Sequence, residues 1–287
     1  MELLADEALS NHTTFRIGGT AKRFVIVDDL KELKEALKEA ERPFIIGKGS
    51  NVLADDSGYD GTVIRLSGSF SEVRVSGDMI TAGAAALLST VAVRAMEASL
   101  TGLEFSHGIP GTIGGAVFMN AGAFGGEMKD VVSRVRIYDV EKDTEAVLSG
   151  DDMDFGYRRS LIRTGNAKAL RFIVTGAEFS LEQGVREEIE KKMSDIRDRR
   201  NDRQPLNYPS AGSVFKRPEG YFAGKLIEEA GMKGVSVGGA RVSEKHAGFI
   251  INEGGATSGD VKALIGKVQE EVFRSSGVRL EREIMYL

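Results

Sequence analysis

The chain has 287 residues, of which 41% are hydrophobic and 28% charged, a composition that excludes wholesale disorder. Its formal net charge of −5 argues against general binding to nucleic acid or to anionic membranes. It contains no cysteine, which excludes disulfides, a cysteine nucleophile and cysteine-ligated zinc or iron–sulfur sites.

The N-terminal stretch MELLADEALS carries acidic residues where a signal peptide needs basic and then apolar ones. The longest run of small apolar residues, 82–93, is shorter than the ~20 residues that span a bilayer. We therefore expect a cytoplasmic protein that is not embedded in a membrane.

Hydrophobic spacing predicts helices and strands that do not alternate regularly, which is typical of an α+β protein. In the first half the predictions are a capped helix in DDLKELKEALKEAERP, a strand and glycine turn in FIIGKGSNVL, a hairpin in EVRVSGDMITA, and a helix in LLSTVAVRAMEASLTG closed by Gly102. In the second half they are strands in RVRIYDVEKDTEAVL and ALRFIVTGAEFSL, a charged helix over 184–203, a helix over 223–230, a strand in HAGFIIN, a helix over 258–276 ended by Gly277, and a final strand in VRLEREIMYL.

Two glycine turns, over 47–51 and 111–115, follow apolar segments and expose backbone N–H groups. Neither matches a standard nucleotide motif: Gly49 follows Lys48 where a P-loop needs Ser or Thr, and the second turn lacks the G-x-G-x-x-G spacing. Successive amides in such turns suit a diphosphate, whereas tight turns and close helix packing are the alternative explanation. Two turns together with the NAGAFGG stretch favour a large phosphate-bearing ligand.

The three histidines, His12, His107 and His246, lack metal-ligand spacing, so no metal site is predicted. The stretch SAGSVFK is not the G-x-S-x-G turn of hydrolases, and Ser213 is therefore not predicted to be a hydrolase nucleophile.

Seven stretches in order, between residues 11 and 284, resemble the UDP-N-acetylenolpyruvoylglucosamine reductase (MurB) family. They are NHTTFRIGG, GKGSNVL, GLEFSHGIPGTIGGAVFMNAGAFGGE, FGYRRS, QPLNYPSAGSVFKRP, AGKLIEEAGMKGVSVGGARVSEKHAGFIIN and LEREI. The chain is similar to the shorter type of this family, which lacks an inserted substrate-covering loop.

The resemblance implies the FAD-binding fold of the vanillyl-alcohol oxidase/PCMH type, made of two α+β subdomains (1–66 and 67–200), with a C-terminal α+β substrate domain (201–287). It also implies non-covalently bound FAD that NADPH reduces. The flavin then reduces the enolpyruvyl group of a UDP-sugar to give UDP-N-acetylmuramate, a step in peptidoglycan precursor synthesis. A monomer is expected.

The family's motifs map onto particular residues of this chain. The catalytic set is Arg158, Ser213 and Glu283. The cofactor-binding set is Gly47, Lys48, Gly49, Ser50, Asn51, Val52, Gly111, Thr112, Ile113, Gly114, Gly115, Ala116, Asn120 and Gly122. The substrate-binding set is Tyr157, Arg203, Lys216 and His246. Arg203 and Lys216 are assigned to the UDP diphosphate because a dianion needs nearby cations; exposed surface cations are the alternative.

Two other functions fit the glycine turns. One is another flavin oxidase of the same fold, which would have no reason to carry SAGSVFK and the late glutamate together. The other is a non-catalytic nucleotide-sugar binder, which would show no flavin absorbance. If the second turn holds FAD, a bulky residue at Gly114 or Gly115 is expected to displace the flavin before it unfolds the protein.

Overall fold

The computed structural model describes residues 1–166 and 169–287. The chain divides into two compact units. Unit 1 comprises 1–4, 24–48 and 61–200, and unit 2 comprises 5–23, 49–60 and 201–287. Because two early segments belong to unit 2, neither unit is continuous in sequence. The three continuous domains predicted above stay a prediction.

The described residues form both helices and strands. The helices are α1 (Leu30–Glu39), α2 (Leu88–Glu97), α3 (Ile113–Met119), α4 (Leu161–Gly165), α5 (Arg186–Arg203), α6 (Ala223–Glu229) and α7 (Ser258–Ser276). The strands are β1 (Glu2–Ala8), β2 (Thr20–Val27), β3 (Phe44–Ile46), β4 (Val52–Leu53), β5 (Tyr59–Leu66), β6 (Val73–Ser76), β7 (Met79–Gly83), β8 (Leu100–Thr101), β9 (Gly122–Ala123), β10 (Gly126–Glu127), β11 (Val132–Asp139), β12 (Thr144–Ser149), β13 (Phe172–Ser180), β14 (Glu182–Gln183), β15 (Ser210–Ser213), β16 (Ser236–Val237), β17 (Ala240–Val242), β18 (Phe249–Asn252) and β19 (Met285–Tyr286).

Unit 1 contains an antiparallel five-stranded sheet in the order β12–β11–β13–β7–β6. The predicted hairpin is confirmed: Ser76 pairs with Met79, and Gly77 takes a φ of +61° in the two-residue turn. Alternate residues of β7 and β13, such as Ile80 and Phe179, are fully buried. They belong to a core cluster that also takes in buried residues of α2 and α3.

Unit 2 contains an antiparallel sheet in the order β15–β18–β17–β16 and a core of its own. Helix α7 buries five apolar residues at helical spacing: Val261, Leu264, Ile265, Val268 and Val272. Thr257 and Asp260 form a capping box at its start, and Gly277 ends it with a φ of +71°. The boundaries predicted for this helix are therefore confirmed. Strand β19 pairs in parallel with β4.

Several sequence predictions are wrong in detail. Helix α2 ends at Glu97 rather than at Gly102, because Ser99 takes a φ of +58° and the next residues form β8. The charged helix predicted over 184–203 begins at Arg186, and Val185, which precedes it, is 53% exposed. Arg200, near the other end of α5, is buried instead. Of the predicted final strand, Met285–Tyr286 forms a short strand, and Arg282 makes an isolated β-bridge with Phe215.

Among the helices of residues 1–166 and 169–287, none combines the length and the apolar character needed to cross a membrane. The same residues contain no group of three or more histidine and carboxylate side chains placed to hold a metal ion.

Candidate functional site

The first glycine turn follows β3 and lies at the division of the chain, with Gly47 and Lys48 in unit 1 and 49–52 in unit 2. Gly47 lies against the second turn, since a Cβ built on it would be 2.5 Å from Thr112 Oγ1. Gly49 has a φ of +60°, and a Cβ on it would collide with the His12 carbonyl oxygen. Both positions therefore require glycine for steric reasons.

The second turn leads into α3 and is only partly available to a ligand. The Ile113 amide donates to the Ala86 carbonyl at 2.9 Å, and the Gly114 amide donates to the Ala84 carbonyl at 2.8 Å. The sequence-based view that the whole turn offers its amides is therefore wrong for these two residues. The amides of Gly111, Thr112 and Gly115 have no acceptor among the residues that the structure describes.

Gly114 and Gly115 also differ in what surrounds them. A Cβ on Gly114 would lie 3.1 Å from Ala84 Cβ and 3.2 Å from Ala84 O, so this glycine packs against the protein. A Cβ on Gly115 would meet nothing closer than Thr112 Oγ1 at 3.7 Å. With its unbonded amide and open face, the Gly115 position fits an anionic diphosphate such as that of FAD.

Arg158 lies in a tight hairpin of unit 1. Gly156 and Arg159 exchange two backbone hydrogen bonds, of 3.1 and 3.0 Å, around it. Arg158 takes a φ of +53°, a conformation that costs a non-glycine residue about 1–2 kcal/mol. Its guanidinium donates to the carbonyls of Asn120 at 3.4 Å and Gly122 at 3.3 Å. Strain of this kind concentrates at functional sites, which marks Arg158 as a functional candidate.

Asn120 ends α3 with a φ of +43° and is completely buried. Its side-chain nitrogen donates to Glu127 Oε2 at 3.0 Å and to the Gly156 carbonyl at 2.9 Å, while its side-chain oxygen accepts from the Lys129 amide at 3.0 Å. The sequence assigned Asn120 to the cofactor, but its side-chain nitrogen donates to Glu127 of β10 and to Gly156 of the Arg158 hairpin. Its direct structural role is to position that hairpin.

Two neighbours of Arg158 complete this part of unit 1. Tyr157 is 46% exposed, and its ring centre lies 5.0 Å from the Arg158 guanidinium carbon. Arg163 of α4 donates to the Arg158 carbonyl. No sequence motif marks Arg163, because its contact with Arg158 is made to a backbone carbonyl.

In unit 2 the structure brings Ser213 and Glu283 onto adjacent backbone segments. Ser213 ends β15 opposite Phe249 of β18. The carbonyl of the next residue, Val214, accepts from the Glu283 amide at 2.8 Å, and Phe215 forms a β-bridge with Arg282. Residues 70 positions apart in sequence are thus held by main-chain hydrogen bonds that do not depend on either side chain.

Asn51 of the first turn connects to the same region of unit 2. Its side-chain nitrogen donates to the Glu283 carbonyl at 3.3 Å, and its own carbonyl accepts from the Met285 amide at 3.0 Å. The first glycine turn therefore helps to fix the segment that carries Glu283.

The predicted substrate-binding residues of unit 2 lie in different surroundings. Lys216 forms an ion pair with the exposed Glu281, and Arg203 is the exposed last residue of α5. His246 is half-buried, and its Nδ1 accepts from the Gly248 amide at 3.1 Å. Burial lowers the pKa of His246 below its usual value, so the ring is neutral near pH 7. With Nδ1 as acceptor, Nε2 carries the proton and is free to donate.

Comparison with known proteins identifies the family of the chain. Residues 204–287 match the model of the UDP-N-acetylenolpyruvoylglucosamine reductase C-terminal domain, and residues 21–145 match that of an FAD binding domain. The UDP-N-acetylenolpyruvoylglucosamine reductase of Caldanaerobacter subterraneus subsp. tengcongensis is 49% identical over 99% of this chain and 93% of its own length. That of Agathobacter rectalis is 46% identical over 98% of this chain and 93% of its own length.

Among solved structures, the crystal structure of the reductase (MurB) from Thermus caldophilus superposes with a TM-score of 0.86 at 38% identity. It covers 99% of this chain and 98% of the Thermus chain. The predicted α+β class, with an FAD-binding part and a separate C-terminal domain type, is thereby confirmed. The chain belongs to the UDP-N-acetylenolpyruvoylglucosamine reductase family.

Proposed function

We propose that this chain is an FAD-dependent oxidoreductase that uses NADPH to reduce the enolpyruvyl group of UDP-N-acetylglucosamine enolpyruvate. The product is UDP-N-acetylmuramate, a precursor of peptidoglycan. Family membership over nearly the whole chain supports this activity, and the observation that carries the residue assignment is the pairing of the Ser213 and Glu283 segments in unit 2. That the enzyme is a cytoplasmic monomer stays a prediction from the sequence.

The FAD assignment is supported by the glycine turns. The amides of Gly111, Thr112 and Gly115 in unit 1, and those of Lys48 and Ser50 in the first turn, have no acceptor within the described residues. FAD, when bound, carries hydride from NADPH to the enolpyruvyl carbon. The chain supplies the N–H donors that bind the FAD diphosphate and the side chains that stabilise negative charge on the substrate.

Hydride addition to the terminal carbon of the enolpyruvyl group leaves negative charge on the neighbouring carbon and on its carboxylate. Such charge requires fixed cations or hydrogen-bond donors. Arg158 suits this role because a guanidinium can bind a carboxylate through two parallel hydrogen bonds. The carbonyls of Asn120 and Gly122 fix the orientation of its side chain in unit 1.

We assign the proton transfer to Ser213 and Glu283. The Ser213 hydroxyl donates a proton to the substrate carbon, which completes the addition of hydride and proton across the double bond. A serine hydroxyl is a very weak acid, so it can act only toward a strongly basic carbon. Glu283, when protonated, donates a hydrogen bond to the enolate-like oxygen. Tyr157, Arg203, Lys216 and the neutral His246 are assigned to binding the UDP-sugar.

The decisive experiment measures the two half-reactions of Ser213→Ala by stopped-flow absorbance. NADPH should bleach the flavin at the wild-type rate, whereas reoxidation by the enolpyruvyl substrate should slow by about 100- to 1000-fold, the usual effect of removing one donor to developing charge. Ser210→Ala, at the other end of β15, is the matched control and should leave both rates unchanged. An equal loss in both half-reactions would contradict the role of Ser213, and a protein without flavin absorbance would contradict the activity itself.

A further inference from the structure

The C-terminal half of α5 carries a buried positive charge that the proposed mechanism does not use. Arg200 is only 8% exposed. Its guanidinium donates to the Gly108 carbonyl, but its Nε–H has no acceptor among the described residues. No carboxylate of the described residues forms an ion pair with it. Burial lowers the pKa of Arg200, because removing the charge from water is unfavourable.

The surroundings of Arg200 are cationic and aromatic. Its guanidinium carbon lies 5.6 Å from the centre of the Phe124 ring, and that of Arg199 lies 5.0 Å from the same ring. The pKa of the nearby His107 is lowered by burial and by the charge of Arg197, and its Nδ1 is also buried without a partner among residues 1–166 and 169–287. A Cβ at position 108 would lie 2.6 Å from Arg200 Cδ, so Gly108 leaves room for the Arg200 side chain.

A buried charge is ordinarily compensated by an opposite charge or by a full set of hydrogen bonds. One carbonyl and the face of one ring compensate Arg200 only in part. Because the described residues of the chain supply no negative partner, a ligand is the natural source of one. Two guanidinium groups over one ring suit a phosphate group, which accepts from several donors at once.

We propose that Arg200, with Arg199 and the Phe124 ring, forms a subsite for a phosphate group of one of the enzyme's nucleotide ligands. The inference rests on the proposed function, which supplies three sources of that chemistry: FAD, NADPH and the UDP-sugar.

The test compares Arg200→Met, which replaces the apolar stem of the side chain and removes the charged guanidinium, with Arg186→Met at the exposed start of α5. Three constants are measured from the flavin spectrum: the Kd of FAD, the Kd of the UDP-sugar, and the concentration of NADPH or NADH that half-saturates bleaching. One of the three should weaken by about 10- to 100-fold in Arg200→Met, the effect of losing a charged hydrogen bond, and none in Arg186→Met. The constant that weakens identifies the ligand. If the half-saturating concentration rises for NADPH but not for NADH, the subsite binds the extra phosphate of NADPH.

Three constants within twofold of the wild-type values in a folded Arg200→Met protein would overturn the proposal. Should that variant not fold, the exposed Arg199→Met decides instead. One of the three constants should then weaken by about threefold in Arg199→Met, as for the loss of an exposed ion pair. Three unchanged constants would overturn the proposal. These are binding constants, so they are independent of the reduction step that Ser213→Ala tests.

Discussion

Unit 1 and unit 2 hold their candidate catalytic residues in different ways. In unit 1, Arg158 has a strained backbone, and contacts between side chains and backbone, made by Asn120 and Arg163, keep it in place. In unit 2, Ser213 and Glu283 do not take a positive φ, and main-chain hydrogen bonds hold their segments next to each other. A residue held by main-chain bonds can lose its side chain at little structural cost. A strained residue can even gain stability when it is replaced, and the two units should therefore respond differently to mutation.

The largest expected effect comes from Arg158→Gly. Glycine adopts the +53° φ freely, and the relief of about 1–2 kcal/mol roughly offsets the loss of the hydrogen bonds to the carbonyls of Asn120 and Gly122, worth about 0.5–1.5 kcal/mol each. The free energy of unfolding should therefore change by less than about 1 kcal/mol, while the rate of substrate reduction falls by at least about 100-fold. Urea denaturation and stopped-flow kinetics measure the two quantities.

Arg159→Gly is the control, because Arg159 is the adjacent, exposed arginine without a positive φ. It should keep its activity and gain no stability. If Arg158→Gly instead unfolds the protein, Arg158 supports the fold of unit 1, and the contrast between the units is wrong.

The start of α3 extends the comparison, because this segment of unit 1 is also held by main-chain hydrogen bonds. Gly114→Leu should lower the free energy of unfolding by about 1–3 kcal/mol, since its side chain would be forced against Ala84. Gly115→Leu should leave this free energy within about 0.5 kcal/mol of the wild-type value, as for a surface substitution, but reduce the amount of bound FAD. The expectation that both glycines act alike is thereby replaced by a distinction between them.

Each of these two variants is the control for the other. Thermal unfolding and the ratio of flavin to protein absorbance separate the two effects. A Gly115→Leu protein that purifies with a full complement of FAD would contradict the placement of the cofactor at the second turn.

The sequence predicted what depends on local periodicity and on capping. The stripe Val261–Val272 and Gly277 set the limits of α7, and Asp29 caps α1 as expected. It could not predict features set by tertiary contacts. The amides of Ile113 and Gly114 donate to carbonyls in the turn that follows β7, and Arg200 is buried although the pattern of its helix predicts a solvated charged face. The positive φ of Arg158 leaves no trace in the residue type, because arginine gains nothing from that conformation.

The smallest expected effect concerns the end of the main-chain pairing in unit 2. The Asp55 amide donates to the Leu287 carbonyl at 2.8 Å, next to the pair β4–β19, and the Asp55 carboxylate forms an ion pair with Lys262 of α7. Hydrogen bonds from Lys262 and then from Ser57 lower the pKa of Asp55 to about 2. Because the pKa is lower in the folded state, this contribution to stability is complete above pH ~4 and is lost as the pH falls toward 2.

Asp55→Asn keeps a side-chain acceptor for Ser57 and removes the charge. At pH 7 it should lower the free energy of unfolding by less than about 1 kcal/mol, because both partners of the ion pair are about one-third exposed. The difference between wild type and variant should shrink between pH 4 and pH 2. Lys262→Met should reproduce the loss, and the double variant should lose little more than either single one. If the difference is instead constant from pH 7 to pH 2, the ion pair between Asp55 and Lys262 does not stabilise unit 2.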